Sequence, residues 1–184
     1  MNGRAPSIGA IRVRPVGGAV ELESLDEMAA ALAGIFRVSC HVDSAPLDPA
    51  FAFDSGRGQY HSTAILARLR ELDAGEAGTR LLGVTELDLF VPVLVFVFGE
   101  AQLEGRCALV SLHRLREEFY GLPPKPELLR ERAAKEAVHE LGHTLGLRHC
   151  PDWRCVMAST HAVERLDLKS LDFCPRCARA GGLL

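Results

Sequence analysis

The sequence has no long hydrophobic run, no strong net charge and few aromatic residues. Its longest apolar segment, Leu89 to Phe98, is far shorter than the ~20 residues that a membrane-spanning helix needs. Arginines and a proline interrupt residues 1–15, where a signal peptide has a continuous apolar stretch. The net charge is −3, and the arginines are scattered instead of forming a basic stripe with interleaved aromatics. We therefore expect no membrane, no signal peptide and no nucleic-acid partner.

The chain also has no internal repeat and no low-complexity tract. It has 184 residues, of which 48% are hydrophobic, enough for one compact core but not for two independent domains. We predict a single domain over residues 1–184, with an N-terminal subdomain to about 146 and a C-terminal subdomain over about 147–184. We expect this domain to be a monomer.

The most informative segment is HELGHTLGLRH at residues 139–149, which has the form H-E-x-x-H-x-x-G-x-x-H. On a helix, His139 and His143 lie one turn apart, so both imidazoles can hold one cation from the same side. Gly146 can adopt the left-handed conformation that ends a helix, and the turn would return His149 as a third ligand. Three histidines leave one coordination position open, which is typical of catalytic zinc.

Glu140 follows the first histidine directly, so its carboxylate can reach a water at the metal without displacing a ligand. It is our candidate general base for peptide hydrolysis. The alternative, ordinary histidines packed on a helix face, explains neither Gly146 nor His149. The flanking pattern predicts the helix over about 126–145, with Pro126 and an acidic residue in its first turn.

Four of the six cysteines lie near the C-terminus with the spacing C-x4-C-x18-C-x2-C. This spacing favours a closed, structural zinc site of four thiolates. A redox dithiol at the CxxC and disulfide bonds are weaker alternatives, because redox CxxC motifs usually open a helix after a buried strand. The predicted ligands are Cys150, Cys155, Cys174 and Cys177. Cys40 and Cys107 look like ordinary buried thiols.

The segments HELGHTLGLRHC, CVM and CPRC together resemble the archaemetzincins, a metzincin family with a histidine zinc site and a four-cysteine zinc site. The spacer from Met157 to Cys174 holds 16 residues, one fewer than in the family pattern, which we interpret as loop variation. The segment LGVTELDLFVPVLVFVFGEA at 82–101 is also similar.

The resemblance implies a zinc metallopeptidase with a metzincin-like zincin fold, in which a twisted mixed five-stranded sheet has an edge strand over the cleft. It implies two zinc ions: a catalytic one at the three histidines and a structural one in a small C-terminal subdomain. Met157 would form the Met-turn, which supports the histidine site by packing and not by coordination. The implied substrate is a peptide or protein.

Hydrophobic periodicity independently predicts a mixed α/β (α+β) domain, a mixed sheet covered by helices. We predict strands over about 8–16, 36–42, 80–85, 89–98 and 107–112, and helices over about 22–35, 60–72 and 175–182 in addition to the motif helix. Residues 43–59 are expected to form a connector. The strand near 91–98 is our candidate for pairing with an extended substrate, although it could instead be a buried central strand, apolar on both faces.

Other readings of the sequence remain open. The histidine site could belong to a non-catalytic zinc or peptide-binding module, although such a module would not need Glu140. The cysteines could belong to a zinc ribbon that binds nucleic acid, for which the weak basic character around Arg176 gives little support. Unexported zinc-thiolate proteins belong in a reducing compartment, so we expect a cytoplasmic protein. Two tyrosines and four histidines lie outside the spacing of any set of metal ligands, and we expect them to be structural or surface residues. They are Tyr60, Tyr120, His41, His61, His113 and His161.

Overall fold

The computed structural model of the chain describes residues 8–18, 20–73 and 78–184. Residues 1–7, which are part of the stretch where we predict no signal peptide, lie outside the described residues. Within the described ranges, no helix is both long and apolar enough to cross a lipid bilayer.

The first half of the described chain mixes strands with two helices, and the second half has four successive strands followed by three α-helices. The strands are β1 (Ala10–Val16), β2 (Ser39–Val42), β3 (Phe53–Asp54), β4 (Gln59–His61), β5 (Thr79–Thr85), β6 (Leu89–Phe90), β7 (Gly99–Ala101) and β8 (Cys107–Ser111). The helices are α1 (Leu22–Phe36), α2 (Ser62–Leu72), α3 (Pro126–Thr144), α4 (Val163–Asp167) and α5 (Pro175–Ala180). Short 3₁₀ helices cover Ala50–Ala52, His113–Leu115 and Glu117–Tyr120.

The main sheet has five strands in the order β2-β1-β5-β8-β7. The first four are parallel, and β7 runs antiparallel to β8 at the edge. Every residue of β5 and β8 is buried, as expected for strands covered on both faces. A second, three-stranded sheet has the order β3-β4-β6. The five-stranded mixed sheet covered by helices confirms the predicted fold class.

The two faces of the main sheet build two separate cores. On β8, Ala108 and Val110 pack with residues of α1 and α3, whereas Cys107 and Leu109 pack with residues of α2. This alternation follows from the two-residue period of a strand. Helix α3 therefore has one face buried against the sheet and α1, and its other side is available for the site.

The prediction of a strand over residues 89–98 is wrong. Only Leu89–Phe90 is a strand, and the amide of Leu94 donates to the carbonyl of Val91 (3.0 Å) in a turn that contains Pro92. Proline has no N–H to give to a ladder, so it interrupts pairing here. Val93 is 87% exposed, which also excludes the alternative of a buried central strand. One edge of the main sheet is β2, and the other is β7, which starts one residue after the predicted strand ends.

Two smaller predictions also need correction. The strand predicted over 36–42 is only Ser39–Val42, because Phe36 closes α1 and Arg37 adopts a left-handed conformation (φ 55°) at the helix end. The predicted connector 43–59 contains a 3₁₀ turn and β3, which pairs with β4. These elements are two or three residues long, too short to give a period in the sequence.

The segment after the motif packs back onto α3. Arg132, buried in α3, donates to both carboxylate oxygens of Asp167 in α4, each at 2.7 Å. Lys135 donates to the carbonyls of Leu166 and Asp167, both at 3.2 Å. Val163, Leu166 and Cys177 share the core of α1 and α3. These contacts fix the C-terminal segment against the helix that carries the motif, and the division into subdomains stays a prediction.

Candidate active site

The turn at the end of α3 brings the third histidine back to the first two. Gly146 has φ +83°, and its amide donates to the carbonyl of His143 (2.9 Å). The amide of Leu147 donates to the carbonyl of Gly142 (3.2 Å), which completes the helix end. Any side chain at 146 would be strained by this conformation, and its Cβ would lie 3.0 Å from Cγ of Glu104. The glycine therefore reverses the chain and directs His149 toward α3.

His139, His143 and His149 form one cluster, as their spacing predicts. One ring nitrogen from each lies within 4.8 Å of the others, so the three could hold a single metal ion. The ring centroids of His139 and His143 are 4.7 Å apart, and the ring of His149 lies 5.4 Å and 5.1 Å from them. His139 is buried, whereas His149 is exposed at the cleft. One side of the cluster is therefore open to a substrate.

Backbone carbonyls fix the tautomers of two of these rings. Nδ1–H of His139 donates to the carbonyl of Val156 (2.8 Å), and Nδ1–H of His143 donates to the carbonyl of Leu147 (2.7 Å). Each Nε2 therefore carries a lone pair, and the two Nε2 atoms face each other at 3.1 Å. Two lone pairs at this distance repel unless a cation lies between them. Ligands of a tetrahedral zinc are roughly 3.3 Å apart, given bonds of about 2.0–2.1 Å, so these residues fit zinc.

Burial also keeps the cluster neutral. It lowers the pKa of His139 to about 3 and lowers the pKa values of His143 and His149. A metal ion needs neutral imidazoles, so no proton has to be removed before a cation binds near neutral pH.

Glu140 lies in the same cleft and has little freedom to move. It is 6% exposed, and a Cβ on Gly99 of β7 would lie 2.7 Å from its Cγ and 2.8 Å from its Oε1. Because Gly99 has no side chain, the side chain of Glu140 can occupy the space beside it. Burial, followed by the nearby carboxylates of Glu136 and Glu100, raises the pKa of Glu140 well above its usual range. A carboxylate whose affinity for protons is raised is suited to accept one.

The cleft has a volume of about 740 Å³ and separates α3 from the edge of the main sheet. One wall is made by β7 and the segment before it, and the other by residues that follow the motif. Arg57 and Gln59 donate to the carbonyls of Leu94 and Val95, both at 3.0 Å, and so hold the first wall in place. The wall residues are Leu94–Ala101 and Leu103 on one side and Arg148, His149 and Ser159–His161 on the other.

The four C-terminal cysteines form a second cluster, as their spacing predicts. Their sulfurs all lie within 4.8 Å of one another, and all four are free thiols. The sulfurs of Cys150 and Cys174 are 3.8 Å apart, far beyond a disulfide bond but close to the roughly 3.8 Å between ligands of a tetrahedral zinc thiolate site. The disulfide alternative is therefore excluded in this structure.

Hydrogen-bond donors surround these sulfurs. The amide of Cys174 donates to Sγ of Cys155, and Nη2 of Arg176 donates to Sγ of Cys150, both at 3.3 Å. The backbone hydrogen bond from Cys177 lowers the pKa of Cys174 to about 7. These contacts stabilise negative charge on sulfur, so the donor set fits zinc.

The two clusters are joined through the backbone. Cys150 follows His149 directly, and the amide of Cys150 donates to the carbonyl of Met157 (2.8 Å). Val156, between Cys155 and Met157, supplies the carbonyl that orients His139. Anything that fixes the cysteines therefore also fixes two of the three histidines.

Comparison with known proteins agrees with this geometry. The sequence matches the model of Peptidase family M54 over residues 47–180. Archaemetzincin of Methanocaldococcus jannaschii is 48% identical over 131 residues, which cover 71% of this chain and 70% of that protein. The chain belongs to the archaemetzincin family.

Solved archaemetzincin structures match the fold over nearly the whole chain. The crystal structure from Methanopyrus kandleri has a TM-score of 0.79 at 36% identity and covers 99% of this chain and 97% of its own. The crystal structure from Archaeoglobus fulgidus, complexed with malonate, has a TM-score of 0.80 at 37% identity and covers 93% and 99%. These findings confirm the resemblance stated from the motifs, and they place the chain among the zinc metallopeptidases.

Sequence reasoning missed several residues of this archaemetzincin cleft. His161, expected to be an ordinary histidine, lines it with Ser159, whose Oγ lies 3.3 Å from Nε2 of His161. Arg148 and Glu136 line it as well. Glu136 lies one turn before Glu140, on the motif side of α3, so helical spacing could have indicated it.

The remaining candidates lie outside the cleft lining. Tyr60 packs on Phe53, and the hydroxyl of Tyr120 donates to the carbonyl of Arg114 (2.9 Å). His61 stacks on Phe90. His113 contacts the carbonyl of Glu86 through Nδ1 (3.2 Å).

Proposed function

We propose that this member of the archaemetzincin family hydrolyses peptide bonds with one zinc ion held by His139, His143 and His149 and with Glu140 as the general base. The observation that supports it best is the pair of Nε2 lone pairs facing each other at 3.1 Å beside a buried carboxylate in an open cleft. A cation held there would relieve the repulsion, and all three histidines line the cleft that a substrate would enter.

The proposed chemistry uses each side chain for one task. Zinc bound at the histidines supplies a Lewis acid, which acidifies water and polarises a peptide carbonyl. The carboxylate of Glu140 accepts a proton from the attacking water and later delivers it to the leaving nitrogen. The carbonyls of Val156 and Leu147 keep the two rings oriented throughout, because Nδ1–H of each ring donates to one of them.

Substrate main chain pairs with β7 in this proposal. Residues Gly99–Ala101 line the cleft, and β7 is paired only with β8 among the described strands, so its other edge has free backbone groups. An extended peptide can add to such an edge without any sequence preference. This replaces the segment 91–98, which forms no strand: residues 92–95 are exposed in a turn, and residues 96–98 are partly or fully buried.

We further propose a second, structural zinc at Cys150, Cys155, Cys174 and Cys177. Its role is to hold the irregular segment that carries His149 and the Val156 carbonyl, where few regular hydrogen bonds are available. The free thiols of this site favour a reducing compartment, which supports a cytoplasmic location. We also propose that the protein is a monomer and has no membrane or nucleic-acid partner.

The competing function is a zinc-binding module without catalysis. Such a module needs the three histidines only, whereas here Gly99 leaves space for the buried carboxylate of Glu140. Among the residues that the structure describes, no specific contact favours the module.

Metal analysis together with digestion of a peptide library separates the two functions. The wild type is expected to hold two zinc ions and to cleave peptides. Glu140→Gln should keep both ions and lose at least about 100-fold in turnover, and Glu127→Gln, exposed in the first turn of the same helix, should leave turnover unchanged. Cleavage by Glu140→Gln at the wild-type rate would falsify the assigned role, and absence of cleavage by the zinc-loaded wild type would favour the module.

A further inference from the structure

Glu136 is a buried acid in the cleft that the proposed reaction does not use. It lies in α3, four residues before Glu140, and is 4% exposed. It lines the cleft together with His139 and Glu140. Its Oε1 is buried and has no hydrogen-bond partner among the described residues. A buried carboxylate oxygen without a partner costs about 1–3 kcal/mol or more, so its presence beside an active site calls for an explanation.

Of the described residues, Glu136 is one of three acids that line the cleft. Glu140 and Glu100 also line it. Both carboxylate oxygens of Glu100 are already engaged, since they accept hydrogen bonds from the hydroxyls of Ser62 and Thr63. Glu136 and Glu140 therefore remain as the acids with capacity for a new partner, and Glu140 is the proposed base.

The lysine that interacts electrostatically with Glu136 donates its hydrogen bond to another group. Lys169 attracts Glu136 electrostatically, but its Nζ donates to the carbonyl of Val156 (3.3 Å). Within the described residues, no ion pair joins Lys169 to Glu136 at 4 Å or less. Lys169 thus lowers the cost of burying the acid and leaves Oε1 without a donor.

The rest of the cleft suits a long side chain with a charged end. Phe96, Val97 and Phe98 make one wall apolar. Lysine and arginine bury their methylene stems along apolar surface and place their charged ends on a polar partner. Along α3, Glu136 lies about 6 Å from Glu140, so a group bound there flanks the bond under attack.

We propose that Glu136 binds a cationic group of the substrate, a guanidinium or an ammonium, next to the scissile bond. This inference rests on the proposed peptidase function and extends it to the class of substrate. The cation comes either from an arginine or lysine side chain or from the amino terminus of the peptide. Its N–H groups would donate to the Glu136 carboxylate, whose Oε1 has no hydrogen-bond partner among the described residues.

The dissociation constants of peptides are measured with the zinc-loaded Glu140→Gln variant, so that the peptides bind without being cleaved. The probes are fluorescent alanine-based hexapeptides that carry arginine or its neutral isostere citrulline at each position in turn. A second set compares free and acetylated amino termini. Arginine at one position, or the free terminus, should bind at least about tenfold more tightly than its neutral counterpart, as expected for a charge-assisted hydrogen bond.

The decisive variant adds Glu136→Gln to the same background. Glutamine keeps the shape and removes the charge, so the ratio of affinities should fall to about one, whereas the affinity for the neutral peptide should change little. The matched control is Glu131→Gln, because Glu131 lies on the same helix with a side chain 56% exposed and paired with Lys135. It should leave the ratio unchanged.

Distinct outcomes separate the possible roles of Glu136. If the acid only balances Lys169, Glu136→Gln lowers the melting temperature and leaves the ratio as it was, which overturns the proposal. Equal binding of arginine, citrulline, free and blocked peptides by the parent protein overturns it too, and this comparison needs no folded Glu136 variant. Selective binding without any cleavage by the zinc-loaded wild type refutes the peptidase function and not the cation site.

Discussion

Gly142 lies directly over the sulfur of Met157, and a Cβ built at position 142 would be 2.4 Å from Sδ. Met157 is fully buried and lies in the sequence between Cys155 and Cys174, two members of the cysteine cluster. The side chain of Met157 thus fills the space that a larger residue within the H-E-x-x-H segment would need. This contact sets the distance between α3 and the segment that supplies the Val156 carbonyl.

Replacing Gly142 by alanine is therefore expected to destabilise the protein. In an exposed helix the same change stabilises by about 0.5–1 kcal/mol, but here the new methyl group overlaps Met157 and the loss should be about 1–3 kcal/mol. Urea unfolding of both variants measures the difference. Gly34→Ala in α1 is the matched control, since a Cβ there has no neighbour within 4 Å, and it should be neutral or stabilising.

A double-mutant cycle tests whether the overlap is the cause. Met157→Ala alone leaves a cavity and should cost about 2–5 kcal/mol. In the double variant the alanine methyl group at 142 no longer meets sulfur, so the combined loss should be smaller than the sum by at least about 0.5 kcal/mol. Strict additivity would mean that the two residues do not interact.

Gly99→Ala should impair turnover more than substrate affinity. Its Cβ would lie 2.7 Å from Cγ of Glu140 and 2.7 Å from the carbonyl oxygen of Leu109 on β8, so both the Glu140 side chain and the pairing of β7 with β8 would have to shift. Misplacement of a reacting group by about 1 Å can cost ~10²-fold in rate. We expect kcat to fall about 10–100-fold with zinc content unchanged. Steady-state kinetics and metal analysis of the same preparation measure both quantities.

The control for Gly99→Ala is Gly9→Ala, because a Cβ at position 9 lies 3.8 Å from the nearest atom, an ordinary contact. It should retain wild-type kcat. A Gly99→Ala enzyme with normal kcat would show that Glu140 has room to reposition, contrary to the proposed constraint.

Cys174→Ser is expected to release one zinc ion and to lower the melting temperature. A structural zinc contributes free energy to folding, and removing one thiolate from a closed site weakens binding strongly. Because Cys150 adjoins His149, peptidase activity should fall as well. Cys40→Ser is the control, since Cys40 is outside both clusters and should leave the zinc content unchanged. Equal zinc content in both variants would remove the case for a second ion.

Asp88 contributes both to the wall of the cleft and to the stability of the folded protein at low pH. It accepts two hydrogen bonds from Arg114, each 2.7 Å, and the guanidinium of Arg114 lies 4.3 Å from the ring of Phe96 in the cleft wall. Burial by itself raises the pKa of Asp88, but the hydrogen bonds from Arg114 and Gln59 outweigh it and leave this pKa below its usual range.

The sign of the pH effect follows from this shift. An acid whose pKa is lowered by folding contributes its full stability above the unfolded value, about 3.9, and loses it as the pH falls through the folded-state pKa. Asp88→Asn should therefore lower the free energy of unfolding by about 1–3 kcal/mol at pH 7. This gap between variant and wild type should stay level down to about pH 4 and narrow only as the pH falls further, toward about pH 2. Urea unfolding across this range measures the gap. A gap that widens toward acid would contradict the assignment, and Arg114→Lys, which keeps the charge, should cost less at pH 7.

The longer elements could be predicted from the sequence because the helices show helical spacing of apolar residues and the strands are segments rich in β-branched residues. Helix α3 was predicted over 126–145 and spans Pro126–Thr144, and β1, β5 and β8 lie within one or two residues of their predicted ranges. The segment 89–98 could not be predicted in this way, because an exposed turn and a buried strand can have the same apolar composition. Only the position of Pro92 and the pairing of neighbouring strands separate them.

By itself, the sequence determined which residues can act together locally. Spacing on one helix and one glycine turn put His139, His143 and Glu140 on one side and returned His149, and the cysteine spacing indicated a second metal site. Tertiary structure decided what surrounds them. Gly99 makes room for Glu140, and β7 rather than residues 91–98 forms the sheet edge at the cleft. Glu136 lines the cleft, and its Oε1 has no hydrogen-bond partner among the described residues. These relationships join residues far apart in the chain, and their distances are set by how sheet, helix and loops pack and not by any local pattern.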